Sequence, residues 1–408
     1  MTRSTPMLPF PTLDDAQIAG KTILVRVDLN VPIDNGRVMD ATRIDRILLN
    51  LREMSDKGGR VVILSHLGRP KGAPNPQLSL GPVAPELAKR LERPVAFIAD
   101  CIGTNVKDAV AAMKDGDYLL LENTRFHKGE EDNDPKFAAA LAELGDIYVN
   151  DAFSTAHRAH ASTEGLAHYL PSFAGRTMQM EIEMLTGMLA HPVRPLAAVV
   201  GGAKVSTKLE LLGNLMRKVE YLFIGGGMAN TFLAASGKSI GKSLCEMDLA
   251  DVARRIMADA EAAQCEIVLP ADVIVAQRLA PHVPVRAVHI DDVGCDDMIL
   301  DIGPRSISKV VGLLASARTL VWNGPFGAFE VPPFDTGTMA VAKVAAQLTQ
   351  AGALETIAGG GDTIAALNQA GIYDQLTYVS TAGGAFLEWL EGKLLPGVEA
   401  LRRQSRAL

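Results

Sequence analysis

The chain has 408 residues, 48% hydrophobic and 21% charged, with a formal net charge of -7. That length exceeds one ordinary hydrophobic core and suits two domains of about 200 residues each. The negative balance argues against nucleic acid or an anionic membrane as the main partner, although a local basic cluster can sit in an acidic whole. The four cysteines, Cys101, Cys245, Cys265 and Cys295, form no CxxC pair and no zinc-binding spacing, and read as reduced thiols of a cytoplasmic protein. Met1 to Pro11 holds no long apolar stretch and no cleavage signal, and no run of 18 apolar residues occurs, so neither a signal peptide nor a spanning segment is expected.

In chain order the first apolar run is Thr22–Val27. A helix pattern follows, with Ile44, Ile47, Leu48 and Leu51 on one stripe and Thr42 with Asp45 as its start signal. Further short runs are Val61–Leu64, Pro94–Ile98, Tyr118–Leu121 and Ile147–Val149. Arg176–Ala190 reads as one helix (Met180, Ile182, Met184, Leu185, Met188), a rigid connector with no Gly/Ser-rich or Pro-rich tract. Beyond it lie Ala197–Val200, Tyr221–Ile224, Ile267–Leu269, Thr319–Trp322 and Thr377–Val379. Runs apolar on both faces suit buried parallel strands, and their alternation with helices, twice over, predicts an α/β chain of two doubly wound parallel-sheet (Rossmann-like) domains joined by a helix. The expected boundaries are 1–175, a connecting helix at 176–190, 191–393, and a tail at 394–408.

Several strands of the first half run straight into polar or basic residues. Arg26, Asp28 and Asn30 follow Val25. Ser65-His66-Leu67-Gly68-Arg69-Pro70 follows Leu64. Glu122-Asn123-Thr124-Arg125-Phe126 follows Leu121, and Asn150-Asp151-Ala152-Phe153 leads on to His157-Arg158-Ala159-His160. Strand C-termini converge on one edge of a parallel sheet, so Arg43, His66, Arg69, Arg125 and Arg158 could face one cleft. Each arginine alone suits a solvated surface, and His157 and His160 suit either hydrogen-bonded structural roles or a site. Together the basic residues would repel one another without an anion, which points to a small ligand of more than one negative charge.

The second half carries glycine-rich turns after apolar pieces: Gly201-Gly202-Ala203-Lys204, Gly225-Gly226-Gly227-Met228, Asn323-Gly324-Pro325-Phe326-Gly327, Gly359-Gly360-Gly361-Asp362-Thr363 and Ser380-Thr381-Ala382-Gly383-Gly384. Such turns let a nucleotide approach the backbone, and the helices that follow offer free N–H groups to phosphates. Lys204 and Lys208 lie one helical turn apart and could share a face. Asp362 reads either as a plain helix N-cap or as a magnesium ligand, since Mg²⁺ needs few carboxylates beside nucleotide phosphates. Gly237-Lys238-Ser239-Ile240-Gly241-Lys242-Ser243 resembles a phosphate loop, but its glycine spacing is wrong and no strand leads into it, so a surface turn is expected. No GxGxxG follows the first strand, and no Ser–His–Asp or Cys–His set is present.

These segments closely resemble the phosphoglycerate kinase family over nearly the whole chain. The motifs that carry the resemblance are Arg26-Val27-Asp28-Leu29-Asn30-Val31-Pro32, Ser65 to Pro70, Glu122 to Phe126, Asp151-Ala152-Phe153 through His160, Gly201-Gly202-Ala203-Lys204-Val205, Trp322-Asn323-Gly324-Pro325 and Gly359 through Thr363. The resemblance implies two domains with a cleft between them, the first binding 3-phosphoglycerate or 1,3-bisphosphoglycerate. Its contacts would be Asp28, Leu29, Asn30, Arg43, His66, Leu67, Gly68, Arg69, Arg125 and Arg158. The second would bind ATP or ADP with Mg²⁺ through Gly202, Lys204, Lys208, Gly226, Asn323, Glu330, Gly360, Gly361, Asp362 and Thr363, with Asp362 on the metal and Glu330 on the ribose. Arg43, Lys204, Gly360 and Gly383 would serve the transfer itself, and the tail Leu394-Leu395-Pro396-Gly397-Val398 would return to the first domain. Two departures are Ala382, where three glycines are usual, which could tighten the phosphate pocket, and Ser154 in place of a common glycine, where little effect is expected.

The implied nucleophile, a carboxylate, is ionised near neutral pH and needs no general base, which agrees with the missing catalytic sets. The resemblance further implies a cytoplasmic, monomeric enzyme of small-molecule substrates, with no nucleic acid or membrane partner, whose domains close when both ligands bind. The rivals are another acyl-phosphate-forming, ATP-dependent kinase of the same fold, a nucleotide-dependent ligase, and a non-catalytic scaffold that would be expected to lose Lys204, Asp362 or Arg43.

Overall fold

A computed structural model describes residues 10–190 and 192–404. The chain divides into two compact units, Met1–Glu183 with Leu394–Leu408, and Met184–Lys393. The helix Arg176–Ala190 forms with the bounds read from the sequence.

The first unit is built on six parallel strands in the spatial order Val95–Ile98, Tyr118–Leu121, Arg60–Leu64, Thr22–Arg26, Ile147–Asn150, Ser172–Ala174. Strand side chains alternate across the sheet. Ile23, Val25, Val61 and Ile63 join one core with Ile44, Ile47, Leu51 and Met54 of the helix Thr42–Asp56. Leu24, Val62 and Leu64 join another core with Val106, Val110, Phe137, Leu141 and Ala400. Both faces are thus covered, which is why these strands read as unbroken apolar runs. The C-terminal helix Pro396–Gln404 belongs to this unit, and Gly397 N donates to Ala156 O at 2.9 Å.

The second unit has six parallel strands in the order Glu266–Val268, Tyr221–Gly225, Leu196–Gly201, Thr319–Asn323, Glu355–Gly359, Tyr378–Ser380. Counted along this unit's chain, the order is 3-2-1-4-5-6, the doubly wound order whose ligand crevice opens between strands 1 and 4.

Three features depart from the sequence reading. Ser172–Ala174 and Glu355–Gly359 are strands that hold too few consecutive apolar residues to stand out. A separate antiparallel sheet, Arg286–His289, Asp272–Ala276 and Met298–Ile302, was not expected; Arg286–His289 is largely solvent-facing and carries little apolar signal. The start of helix Thr42–Asp56 is held from outside it: Asp40 Oδ1 accepts from Thr42 N at 2.8 Å and Thr42 Oγ1 at 2.6 Å, so Thr42 with Asp45 is not the start signal. Among the described residues no helix is long and apolar enough to cross a membrane.

Candidate active site

In the first unit the loops that leave Thr22–Arg26, Arg60–Leu64, Tyr118–Leu121 and Ile147–Asn150 carry the expected residues. Asp28 Oδ1 accepts from Asn30 N at 3.0 Å, and Asn30 Oδ1 accepts from Gly68 N at 2.9 Å, tying two loops together. Arg125 Nη1 donates to Gly68 O at 2.8 Å and ties in a third. Asp28 Oδ2 accepts from Arg43 Nη1 and from Ser154 Oγ, the latter at 2.6 Å. The structure therefore gives Ser154 a partner in the site, where the sequence reading expected little effect. Leu29 and Leu67 sit in the hydrophobic core, so only their backbones remain for a ligand. Arg69 is exposed.

The electrostatics of this cluster are one-sided. Burial, reinforced by Arg26, Arg125, His160 and Arg158, holds His66 well below the usual imidazole range. Burial and positive neighbours push His157 down to about 4 and His160 to about 3. Even Arg125 falls to about 10, mainly through burial and then through Arg26. Its Nε lies 3.4 Å from Glu131 Oε1 without hydrogen-bond geometry, and His157 Nδ1 and His160 Nδ1 are also buried without hydrogen-bond partners. Unpaired buried donors beside buried cations cost stability unless an anion supplies acceptors. Arg26, quoted in a motif but given no role, lies at the centre of this field; no local sequence signal separates it from the strand it ends.

In the second unit, Gly202, Gly226, Glu330 and Asp362 line one cleft of about 420 Å³ with Leu244, Leu279 and Met298, a volume in the range of small-molecule sites. Half-exposed Leu244 and Leu279 are cleft residues that sequence reasoning missed, because isolated leucines in loops are common. Gly226 has φ +65°, and a Cβ there would meet Gly202 O at 2.6 Å; at Gly361 and Gly383 a Cβ would meet nothing within 4 Å. Some of these glycines thus allow loops to pack together, and others leave open space beside a helix start.

Asn323 joins the neighbouring turns. Its Oδ1 accepts from Lys208 Nζ, and its Nδ2 donates to Gly359 O at 2.7 Å. Gly324 N donates to Thr363 Oγ1 at 2.7 Å. Burial lowers Lys208, opposed by Asp362 and Glu391. The helix starts at Gly361, with Gly360 in the cap position, so Asp362 is an exposed first-turn residue and not the N-cap. Lys204 and Lys208 do not share an α-helical face, because a 3₁₀ turn, Val205–Thr207, separates them. Lys204 is exposed, and neither it nor Gly383 lines the cleft. Ala382 is buried and is likewise absent from that lining. The segment Gly237–Ser243 follows a helix, not a strand, and its Lys242 N donates to Asp297 O at 2.7 Å.

The description "Phosphoglycerate kinase" matches residues 13–393 as a family. The chain belongs to the phosphoglycerate kinase family. A phosphoglycerate kinase of Methylorubrum populi is 61% identical over 400 residues, covering 98% of this chain and 100% of the relative. One from Azorhizobium caulinodans is 62% identical over 397 residues, covering 97% and 100%. Among solved structures, phosphoglycerate kinase from Coxiella burnetii superposes with a TM-score of 0.91 at 44% identity, covering 97% of this chain and 100% of that one. The enzyme from Pyrococcus horikoshii OT3 gives 0.81 at 30% identity, covering 97% and 99%. This member of the family thus carries a basic cluster in one unit and a glycine-lined cleft in the other.

Proposed function

We propose that the chain transfers a phosphoryl group reversibly between 1,3-bisphosphoglycerate and ADP, giving 3-phosphoglycerate and ATP. Beside family membership over nearly the whole length, the observation that carries this reading is the basic cluster His66, Arg125, Arg158 and His160, in which buried Arg125 Nε and His160 Nδ1 have no hydrogen-bond partner.

On this reading residues 1–175 form the phosphoglycerate-binding domain and 191–393 the nucleotide-binding domain, with 176–190 between them and 394–408 completing the first. Arg125, Arg158, Arg69 and His66 bind the substrate phosphate, while Asp28 and Asn30 orient its polar groups. The acceptor carboxylate is already ionised at neutral pH, so no residue has to remove a proton. Arg43, now paired with Asp28, turns to the transferring group and offsets charge on its equatorial oxygens.

In the second unit the apolar cleft around Leu244, Leu279 and Met298 takes the base, and Glu330 the ribose. Lys204, Lys208 and the N–H groups near Gly360, Gly361 and Gly383 hold the phosphates. Asp362, an exposed carboxylate in the first helical turn beside open glycines, would hold Mg²⁺ together with nucleotide phosphates. When bound, the ion neutralises phosphate charge. The charge to be neutralised explains why the groups assigned to the nucleotide phosphates are cations and backbone amides, with Asp362 for the metal. The same reading makes the protein a cytoplasmic monomer acting on small molecules, which its net charge of -7 and four free thiols support.

A coupled assay with Mg–ATP and a panel of carboxylate acceptors tests the proposal. Transfer to 3-phosphoglycerate at least about tenfold faster than to other acceptors is expected. Equal or greater rates with a different acceptor would favour another acyl-phosphate kinase.

A further inference from the structure

We propose that Glu130 and Ser162 form a buried relay that holds Arg26 and, through it, fixes His66 as a neutral hydrogen-bond donor toward the anion site. This rests on reading that site as the one that binds 3-phosphoglycerate. Glu130, Ser162 and Arg26 are all fully buried at 0% exposure, far from each other in sequence, and none belongs to the contact set described above.

Bond directions along the relay follow from chemistry. Ser162 Oγ lies 2.6 Å from Glu130 Oε1, and a carboxylate accepts, so the single hydroxyl hydrogen points to Glu130. Glu130 Oε2 also accepts from Ser162 N at 2.9 Å, which fixes the serine from two sides. With its hydrogen committed, Ser162 Oγ offers a lone pair, and Arg26 Nε donates to it at 2.9 Å. Arg26 Nη1 donates to Val27 O. The remaining arm, Nη2, lies 3.0 Å from His66 Nδ1. A guanidinium has no acceptor, so Nδ1 must accept and is unprotonated. The burial of His66 among cations keeps its ring neutral. The ring proton is therefore on Nε2, which has no partner among the described residues and is the atom left for an anion.

Two further contacts hold the serine's loop. Tyr148 Oη donates to Ser162 O at 2.8 Å, and Asn150 Nδ2 donates to Thr163 O at 3.1 Å. Both come from the strand Ile147–Asn150, whose C-terminal loop feeds the same site. Without Ser162 Oγ, Arg26 Nε would lose its acceptor in a dry interior, and Val27 O alone would hold the guanidinium against turning away from His66. Ser162 and Glu130 are thus positioning residues: they touch no ligand and act through Arg26 and His66.

The test is long-range ¹⁵N–¹H correlation of the His66 ring in the full-length free protein, joined to steady-state kinetics. Between pH 6 and 8 the parent should show a protonated Nε2 and an unprotonated, hydrogen-bonded Nδ1. Ser162→Ala should move the Nδ1 resonance toward that of a free acceptor. It should raise KM for 3-phosphoglycerate about tenfold, with kcat and the nucleotide KM within about twofold, as outer partners of a site do. Ser162→Thr, which keeps the hydroxyl, should restore both readouts. A protonated Nδ1 in the parent overturns the proposal, as does a Ser162→Ala variant with unmoved Nδ1 and unmoved KM. If the alanine variant does not fold, the parent spectrum still decides. If the parent transfers no phosphate to 3-phosphoglycerate, the functional reading fails while the spectrum tests the relay on its own.

Discussion

On the proposed function, Arg43 waits in one place and acts in another. It lies in the first turn of the helix Thr42–Asp56 and is paired with Asp28, whose same oxygen also accepts from Ser154. A half-exposed guanidinium held only at one end can swing to developing charge. Arg43→Ala should lower kcat by a factor of about 100 or more, the scale of a lost transition-state contact. Steady-state kinetics in the ATP-consuming direction check this, and a change confined to KM would contradict the role. Asp362→Asn should weaken use of Mg–ATP by at least about tenfold and shift the Mg²⁺ concentration for half-maximal rate upward. An unchanged Mg²⁺ dependence would remove Asp362 from the metal. The basic residues were legible in the sequence because type and position, in the loops that follow apolar runs, coincide at Arg69, Arg125 and Arg158. Ser154 was not, since its partner Asp28 lies 126 positions away and nothing local records that contact.

At the scale of elements, the helix Arg176–Ala190 has a start that is chemically costly. Asp151, at the end of the strand Ile147–Asn150, accepts from Thr177 N at 2.7 Å, Met178 N at 3.0 Å and Thr177 Oγ1 at 3.1 Å. Burial nevertheless pushes its carboxyl up to about 7, outweighing these donors. A carboxyl raised in the folded state binds more protons there than in the unfolded chain. Its contribution to stability is therefore fully present below the ordinary carboxylate value and is lost as pH rises toward about 7. Asn mimics the protonated acid. Asp151→Asn should match the parent near pH 4 and become the more stable of the two above pH 7, read from denaturant unfolding across that range. Parallel stability curves would contradict the argument. The central strands were legible because both of their faces are buried, as the split of Ile23 and Leu24 between two cores shows. The antiparallel sheet Arg286–His289, Asp272–Ala276 and Met298–Ile302 was not, because its edge strand Arg286–His289 is largely solvent-facing and carries little apolar signal.

For the whole molecule, the account divides two anionic ligands between two units: cations and imidazoles in the first, glycine turns and a helix N-terminus in the second. This division was already visible in the sequence as basic residues in one half and glycines in the other. The strand orders were not, since parallel strands of equal apolarity carry no mark of their neighbours. The most direct test is hydrogen exchange on the intact protein with each ligand alone. 3-Phosphoglycerate should slow exchange at residues 28–30, 66–69 and 157–160 and leave 202–208 and 360–363 unchanged, while Mg–ADP should do the reverse. Protection of the same segments by both ligands would contradict the division on which the account rests.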